Sequence, residues 1–483
     1  MLLPPSPLIY EVNTWPWLSG LSARHGRPVD LASVPGDYWD EIADLGFDAV
    51  WLMGVWARSP RGTRIARDDT PLMASFASAL PDVTDDDVVG SPYCIRDYVV
   101  DDHLGGDDAL AVARAELARR GVGLILDFVP NHLAADHAWT IGHPEWFIRG
   151  TADDLEREPG SFIRVGDHVF ANGRDPYFPA WRDVVQVNAF HDGLRDALRR
   201  TAVDIAGRCD GVRCDMAMLM LGDVVARTWG DRAGGPAAQE FWPPLIESVR
   251  AVRPGFVFIA EAYWGTESTL VAQGFDHCYD KGLYDVLRDN PPHLWPRLSA
   301  EADHHTDRPR QWLRFIENHD EPRAVQVFGD RDRQAAVATL TQQGARLVHQ
   351  GQIEGRRIRV PVQLGRFPDE PVDADRAVFY RALVRTLRDD AFIRGTWRLC
   401  DTRGPSDAVV AWERESGTRR WVVAINIADQ PVTTIIDDGC RSGAIGDAYN
   451  PLTGETRPIR GDAAIEISLI ARGWQIYRID LAS

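Results

Sequence analysis

From Leu8 to His349 the chain alternates between short, almost continuously apolar runs and longer stretches with apolar residues every three or four positions. The apolar runs predict strands at Leu8 to Asn13, Phe47 to Val55, Val122 to Val129, Gly211 to Cys214, Phe256 to Ala260, Trp312 to Ile316 and Ala345 to His349. A weaker one falls at Phe275 to Tyr279. Continuous apolarity marks strands buried on both faces, as in a parallel sheet covered by helices. Between them, helices are predicted at Tyr38 to Leu45, capped by Asp37 and stopped by Gly46, and at Asp108 to Arg120, capped by Asp107 and ended by Gly121. Gly193 to Arg208 and Leu245 to Val252 follow. Eight strand–helix units suggest an α/β fold closed as a (β/α)8 TIM barrel with insertions. The count alone also allows an open doubly wound sheet.

Two stretches break the alternation. Leu133 to Asp183 is rich in Asp, Gly, Pro and aromatics without sustained period, and so long an irregular stretch is usually a functional excursion. Within it, Trp139, Trp146 and Trp181 are expected as its core, Gly173 to Phe178 as a turn, and Asp136 and His137 as a structural pair. From Trp397 onward the period becomes that of short alternating strands: Ala408 to Glu413, Trp421 to Ile427, Val432 to Ile436, Ile465 to Leu469 and Trp474 to Tyr477. Glu415-Ser416-Gly417-Thr418 supplies a hairpin turn. The expected division is a barrel at 1–132 and 184–390, an inserted domain at 133–183, and a β-sandwich domain at 391–483.

A net charge of -18 argues against nucleic acid or an anionic membrane as a partner and suits a neutral or cationic substrate. Lys281 is the only lysine among the 53 basic residues, a coding bias more than a functional signal. No basic residue precedes Arg24, prolines interrupt the first apolar residues, and no apolar run approaches a membrane span; a cytoplasmic protein is expected. Cys94, Cys209, Cys214, Cys278, Cys400 and Cys440 lack metal-ligand spacing and are expected as reduced thiols.

In a barrel the chemistry gathers where the strands end. The third strand ends in Asp127-Phe128-Val129-Pro130-Asn131-His132, the fourth in Arg213-Cys214-Asp215, the fifth in Ile259-Ala260-Glu261 and the seventh in Glu317-Asn318-His319-Asp320. Carboxylates and histidines at successive strand ends converge on one pocket. Arg213 and Asp215, two apart in an extended strand, point the same way, so the guanidinium favours the ionised carboxylate that a nucleophile needs. Glu261 follows an apolar run and precedes Tyr263 and Trp264; such surroundings raise a carboxyl toward the range of a general acid.

These four segments, in this order, resemble the conserved regions of the α-amylase superfamily of glycoside hydrolases, over Tyr10 to about Gln352. The resemblance implies Asp215 as nucleophile, Glu261 as acid/base and Asp320 as transition-state stabiliser. Arg213, His132 and His319 correspond to sugar-binding residues of the cleavage subsite, Tyr93 to the tyrosine that stacks on that sugar, and Asp127 to a supporting acid. Tyr263 and Trp264 would offer a face to the leaving-group sugar. The implied reaction is a double displacement through a glycosyl-Asp215 intermediate on α-glucans or α-glucosidic oligosaccharides, giving an α product.

The chain departs from the family at several points. Met218 and Leu219 stand where many α-amylases carry a lysine and a histidine toward the leaving-group sugar. That opens a second reading, a transglycosylase or sugar isomerase using the same intermediate; a non-catalytic carbohydrate-binding protein is a third. Asn131 matches a calcium ligand of the family, but Gln186 replaces a calcium-binding aspartate and a neutral amide is a weaker ligand for a hard cation. Calcium is therefore compatible but not expected, and no cofactor is required. Arg356, Arg357 and Arg359 are the candidates for the family's arginine after the eighth strand.

Overall fold

The computed structural model describes residues 2–303, 308–403, 408–437, 444–459 and 464–482. Eight parallel strands close into a barrel in chain order: Leu8–Asn13, Ala49–Met53, Gly123–Phe128, Gly211–Cys214, Val257–Ala260, His277–Tyr279, Trp312–Arg314 and Ala345–His349. The first pairs with the last, Leu8 beside Arg346, which excludes an open sheet. All eight expected strands are present. The strand Ala49–Met53 is buried at every position, because the barrel core covers one face and helices the other.

Helix caps are where the sequence reading slips. The helix Gly36–Leu45 begins ahead of Asp37, which lies in its first turn, where a carboxylate meets the positive end of the helix dipole. Gly46 does end it, in the left-handed region at φ 93°. Asp107 likewise lies inside Gly106–Arg119, and its Oδ1 accepts from Val100 N–H at 3.2 Å and pairs with Arg208 at 3.0 Å.

The excursion after the third strand is not patternless. Its strands form a four-stranded antiparallel sheet in the order His132–Ala134, Trp181–Gln186, His168–Gly173, Phe162–Val165. Strands of three to six residues are too short to register as a period. Asp136 and His137 do not pair. Asp136 accepts from Ser59 Oγ at 2.5 Å, while His137 Nδ1 accepts from Trp139 N–H at 3.0 Å, so each ties down a different segment. A second excursion, unforeseen, follows strand two: helices Pro60–Asp68 and Thr70–Ala79 share a small apolar core with Val360 and Leu364 after strand eight.

The C-terminal domain is one antiparallel sheet of eight strands. Thr396–Arg403 joins its halves, pairing with Val409–Ser416 through residues 396–400 and with Val432–Asp437 through 401–403. Ile436, Ile465 and Leu469 from one end share a buried cluster with Val422, Ala424 and Tyr477 from the middle, so the sheet curls over itself into two packed layers. Gly417, at φ 57°, makes the foreseen hairpin turn. The domain rests on the barrel through Trp412 Nε1 to Thr341 Oγ1 at 3.2 Å and Gln334 Nε2 to the Asn426 carbonyl at 2.6 Å. Cys94, Cys209, Cys214, Cys278 and Cys400 are free and buried; Cys440 lies outside the described residues. Among the described residues, no helix is long and apolar enough to cross a membrane.

Candidate active site

Strand four pairs with strand three so that Arg213 lies beside Asp127 and with strand five so that it lies beside Ile259. The ladder runs on past the strand ends: Asp215 N–H donates to the Phe128 carbonyl at 2.8 Å and Glu261 N–H to the Cys214 carbonyl at 3.1 Å. The backbone thus delivers both carboxyls to the same rim. Arg213 stands between them, its Nη1 at 2.6 Å from Asp215 Oδ1 and its Nη2 at 2.7 Å from Glu261 Oε2. The expected Arg213–Asp215 pair is therefore half of a bridge, since one guanidinium holds both carboxyls. Trp51, Tyr93 and Tyr279 surround Arg213 with ring centroids 5.2–5.7 Å from its carbon, and Nε donates to Tyr279 Oη at 3.2 Å.

Desolvation acts on each carboxyl, most fully on buried Asp215 and Glu261, and their neighbours then separate them. Burial pushes Glu261 up to about 7; Arg213 opposes this, and the charges of Asp215 and Asp320 reinforce it. Glu261 Oε2 also accepts from Met216 N–H at 2.7 Å, and Oε1 from Tyr263 Oη–H at 2.9 Å. Asp215 is raised by burial as well, with Arg213 working against it through charge and hydrogen bond. Asp320 keeps 43% of its side-chain surface exposed; the desolvation it does suffer works upward, but the neighbouring His319 imidazolium outweighs it and holds the carboxyl well below the usual range. Two carboxyls with pKa values pushed apart are the arrangement that divides labour between a proton donor and a charged stabiliser.

His319 is lowered by burial but raised more by Asp320 and Glu11, ending at about 10, so it is a cation at neutral pH. Its Nε2 lies 3.0 Å from Asp320 Oδ2 and 2.8 Å from Tyr93 Oη, and its Nδ1 bonds Glu11. His132 is the opposite case. Burial takes it down to about 3, so it faces Asp215 Oδ2 at 3.8 Å as a neutral ring. Asp127 accepts from Gly54 N–H at 2.8 Å and Trp51 Nε1 at 3.2 Å, and burial raises it to about 7.

A pocket of about 220 Å³ opens at the strand ends, lined among others by Tyr93, His132, Asp215, Glu261 and Asp320. Arg213, Asp127 and His319 are buried behind that wall and meet the pocket through the residues they hold. Tyr263 is half-buried, and its hydroxyl is committed to Glu261. Trp264 is exposed at φ 62°, and its ring meets Tyr177 of the insertion edge-on at 4.7 Å. The turn chemistry expected at Gly173 to Phe178 is present, with Asp175 Oδ1 accepting from Tyr177 N–H at 2.7 Å and Phe178 N–H at 2.9 Å.

Two expectations change and a third narrows. Trp181 packs on Ala134 and Val184 of the insertion as expected, but it also lines the pocket, its ring 5.1 Å from His132. Met218 and Leu219 do not face a leaving group. The chain turns through the left-handed region at Met216 (φ 43°), and the 3-10 helix Ala217–Met220 carries both side chains into the core, leaving Met216 on the pocket wall. Of the three arginines after strand eight, Arg359 acts on Asp320 and its Nε donates to the His319 carbonyl at 3.4 Å. Glu11, Tyr279, Asp183 and Gln363 were unforeseen at the site; Gln363 reaches the pocket through the second excursion, whose Val89 N–H donates to its carbonyl at 2.8 Å.

The residues at the calcium position do not fit a cation. Gln186 Nε2 donates to the Asn131 carbonyl at 3.0 Å, Asn131 Oδ1 at 2.9 Å and the Val187 carbonyl at 3.2 Å. Three oxygens that could ligate a metal converge on an N–H2 group. A chelator should therefore leave the melting temperature unchanged. Gln186→Ala, which strands the buried Asn131 Oδ1, should cost about 1–3 kcal/mol by denaturant unfolding.

The sequence family described as "Alpha amylase, catalytic domain" matches residues 37–164. An alpha-amylase, MalA, of Haloarcula japonica is 24% identical over 465 residues. The match covers 92% of this chain and 58% of the relative, so the chain spans little more than half of that protein's length. The barrel and its C-terminal sheet superpose on the noncanonic maltogenic alpha-amylase AmyB from Thermotoga neapolitana (TM-score 0.70, 19% identity, 99% of both chains). They also superpose on an alpha-amylase from Geobacillus thermoleovorans complexed with acarbose (TM-score 0.70, 18%, 100% of both). A Nostoc punctiforme debranching enzyme shares the fold too (TM-score 0.66, 16%, 99% of both).

Proposed function

Starting from a chain related to the α-amylase family of glycosidases, we propose that it is a retaining α-glycoside hydrolase of soluble α-glucans or α-glucosidic oligosaccharides. The observation that carries this is the single Arg213 guanidinium bonded to both Asp215 and Glu261. A retaining enzyme needs its two carboxyls about 5–5.5 Å apart, closer than the about 6.5–9.5 Å that leaves room for an inverting water. One shared guanidinium favours the close arrangement.

In the first step Glu261 gives its proton to the glycosidic oxygen while Asp215 attacks the anomeric carbon, forming a glycosyl ester and releasing the leaving sugar. In the second, the ionised Glu261 takes a proton from water, which displaces Asp215. Two inversions give net retention. The charge of Asp320, kept ionised by His319, stabilises the oxocarbenium-like transition state, and His132 and Tyr93 line the subsite of the attacked sugar. The cytoplasmic setting expected from the sequence belongs to the same proposal. Proton NMR of maltooligosaccharide hydrolysis should find the α-anomer as the first product, and a β product would overturn the retaining assignment.

Glu261 must be protonated to act as an acid, so kcat/KM should fall as pH rises through about 7. Tyr263 Oη–H donates to Oε1 and thereby favours the ionised form. Tyr263→Phe should move the alkaline limb upward and lower kcat by roughly tenfold, one hydrogen bond's worth. An unmoved limb would mean that the hydroxyl does not act on the acid.

Transfer to a second sugar loses the support first found in Met218 and Leu219, now core residues. Product chromatography decides this reading: longer or rearranged oligosaccharides would restore it.

A further inference from the structure

We propose that the outer wall of the barrel and the C-terminal domain enclose a binding site for a small inorganic anion, built from Arg314, Arg346 and Arg414. Arg314 and Arg346 are direct neighbours in register on strands seven and eight, where like charges side by side repel. They face out of the barrel, since Arg314 Nη2 bonds Glu301 on the flanking helix Leu294–Asp303 at 2.6 Å. Arg414 approaches from the strand Val409–Ser416 of the C-terminal domain. Exposure of the three is 0%, 0% and 1%.

Among the described residues, Arg314 has carboxylate partners but Arg346 and Arg414 do not. Arg314 and Arg297 share Glu301 and Asp280, two cations on two anions. Arg346 and Arg414 have only carbonyl partners among the described residues: Ser6 for the first at 2.5 Å, and Ala391, Phe392 and Gly395 for the second at 3.0–3.4 Å. The carboxylate acting on Arg346 is Asp48, which instead accepts the Leu8 N–H at 2.8 Å. Burial takes Arg346 down to about 10, and burial with the like charges of Arg346, Arg310 and Arg314 takes Arg414 down to about 9.

Five buried guanidinium nitrogens of these arginines lack a hydrogen-bond partner among the described residues: Nε and Nη1 of Arg314, Nε and Nη1 of Arg346, and Nη1 of Arg414. All are donors. A water can accept from only two of them and brings two hydrogens of its own. An anion accepts from every donor and neutralises buried charge that is otherwise costly. The ligand class is a halide or a small oxyanion, and its role is to hold the C-terminal domain on the barrel. This assignment is independent of the glycosidase reading.

The test uses the full chain. Crystals grown in bromide should give an anomalous peak at hydrogen-bond distance from Arg346 and Arg414. Chloride should raise the melting temperature by roughly 2–4 °C over gluconate, an anion too large to enter, at equal ionic strength. Arg346→Gln and Arg414→Gln should abolish that increment. Stabilisation by phosphate alone, lost in the same variants, would identify an oxyanion as the occupant. Equal melting temperatures in all three salts with no bromide peak would mean that water fills the site, and would overturn the proposal. Should the variants fail to fold, the bromide map of the unaltered chain decides.

Discussion

Asp215→Asn abolishes turnover of maltooligosaccharides, with kcat reduced by roughly 10⁴-fold or more, while the protein keeps its fold. Asparagine has the same shape, and its amide oxygen can still accept from Arg213 Nη1, which lies 2.6 Å from Asp215 Oδ1. What it lacks is the charged oxygen that forms the glycosyl ester. Reducing-end assays measure the loss, and circular dichroism checks the fold. Full activity in this variant would remove Asp215 from the reaction, and with it the double displacement. The variant separates chemistry from architecture because Asp215 continues the barrel ladder through its own N–H to Phe128, whatever its side chain.

The second large effect belongs to Arg213. Arg213→Met keeps much of the side-chain volume within the cage of Trp51, Tyr93 and Tyr279 but removes the guanidinium that bonds both Asp215 and Glu261. Removing one partner of a buried ion pair costs about 3–5 kcal/mol, because the other charge stays buried and unpaired. Here two carboxyls lose their partner, with Asp127 3.9 Å away as a third neighbour. Urea unfolding at neutral pH should register that loss. Arg213 lowers the carboxyls of Asp215, Glu261 and Asp127 in the folded protein, so its removal raises all three. A carboxyl raised further in the native state holds its proton more tightly than in the unfolded chain. The variant should therefore recover stability as pH falls and these groups protonate. A stability loss of the same size at pH 5 and pH 8 would place the role of Arg213 in packing instead of charge.

The barrel was legible because its strands are buried on both faces, and double burial leaves a continuous apolar run that needs no context to be noticed. The helix starts were misplaced by a residue or two because Asp37 and Asp107 fit a cap and a first turn equally well. Within the site, Arg213, Asp215, Glu261 and Asp320 stood out by their place at strand ends. Glu11, Tyr279, Trp181 and Gln363 did not, because nothing local marks them. Glu11 touches His319 from more than three hundred residues away, and Tyr279 meets Arg213 from a strand that the pattern barely registered. The turn at Met216 reversed the expectation for Met218 and Leu219, since a left-handed residue redirects every side chain that follows.

By itself the sequence determined eight strand–helix units, the excursion after the third strand and the carboxyls at the strand ends, because burial pattern and strand-end position are local properties of the chain; closure of the barrel came from the pairing of its first and last strands. Only the tertiary structure decided which groups share one proton or one charge. It placed Arg213 between two carboxyls, committed the Tyr263 hydroxyl to Glu261, gave Gln186 the position of a metal, and buried Arg346 and Arg414 with only carbonyl hydrogen-bond partners among the described residues. Electrostatic partnership depends on distances of a few ångströms between residues far apart in sequence, and closing the barrel is what sets those distances.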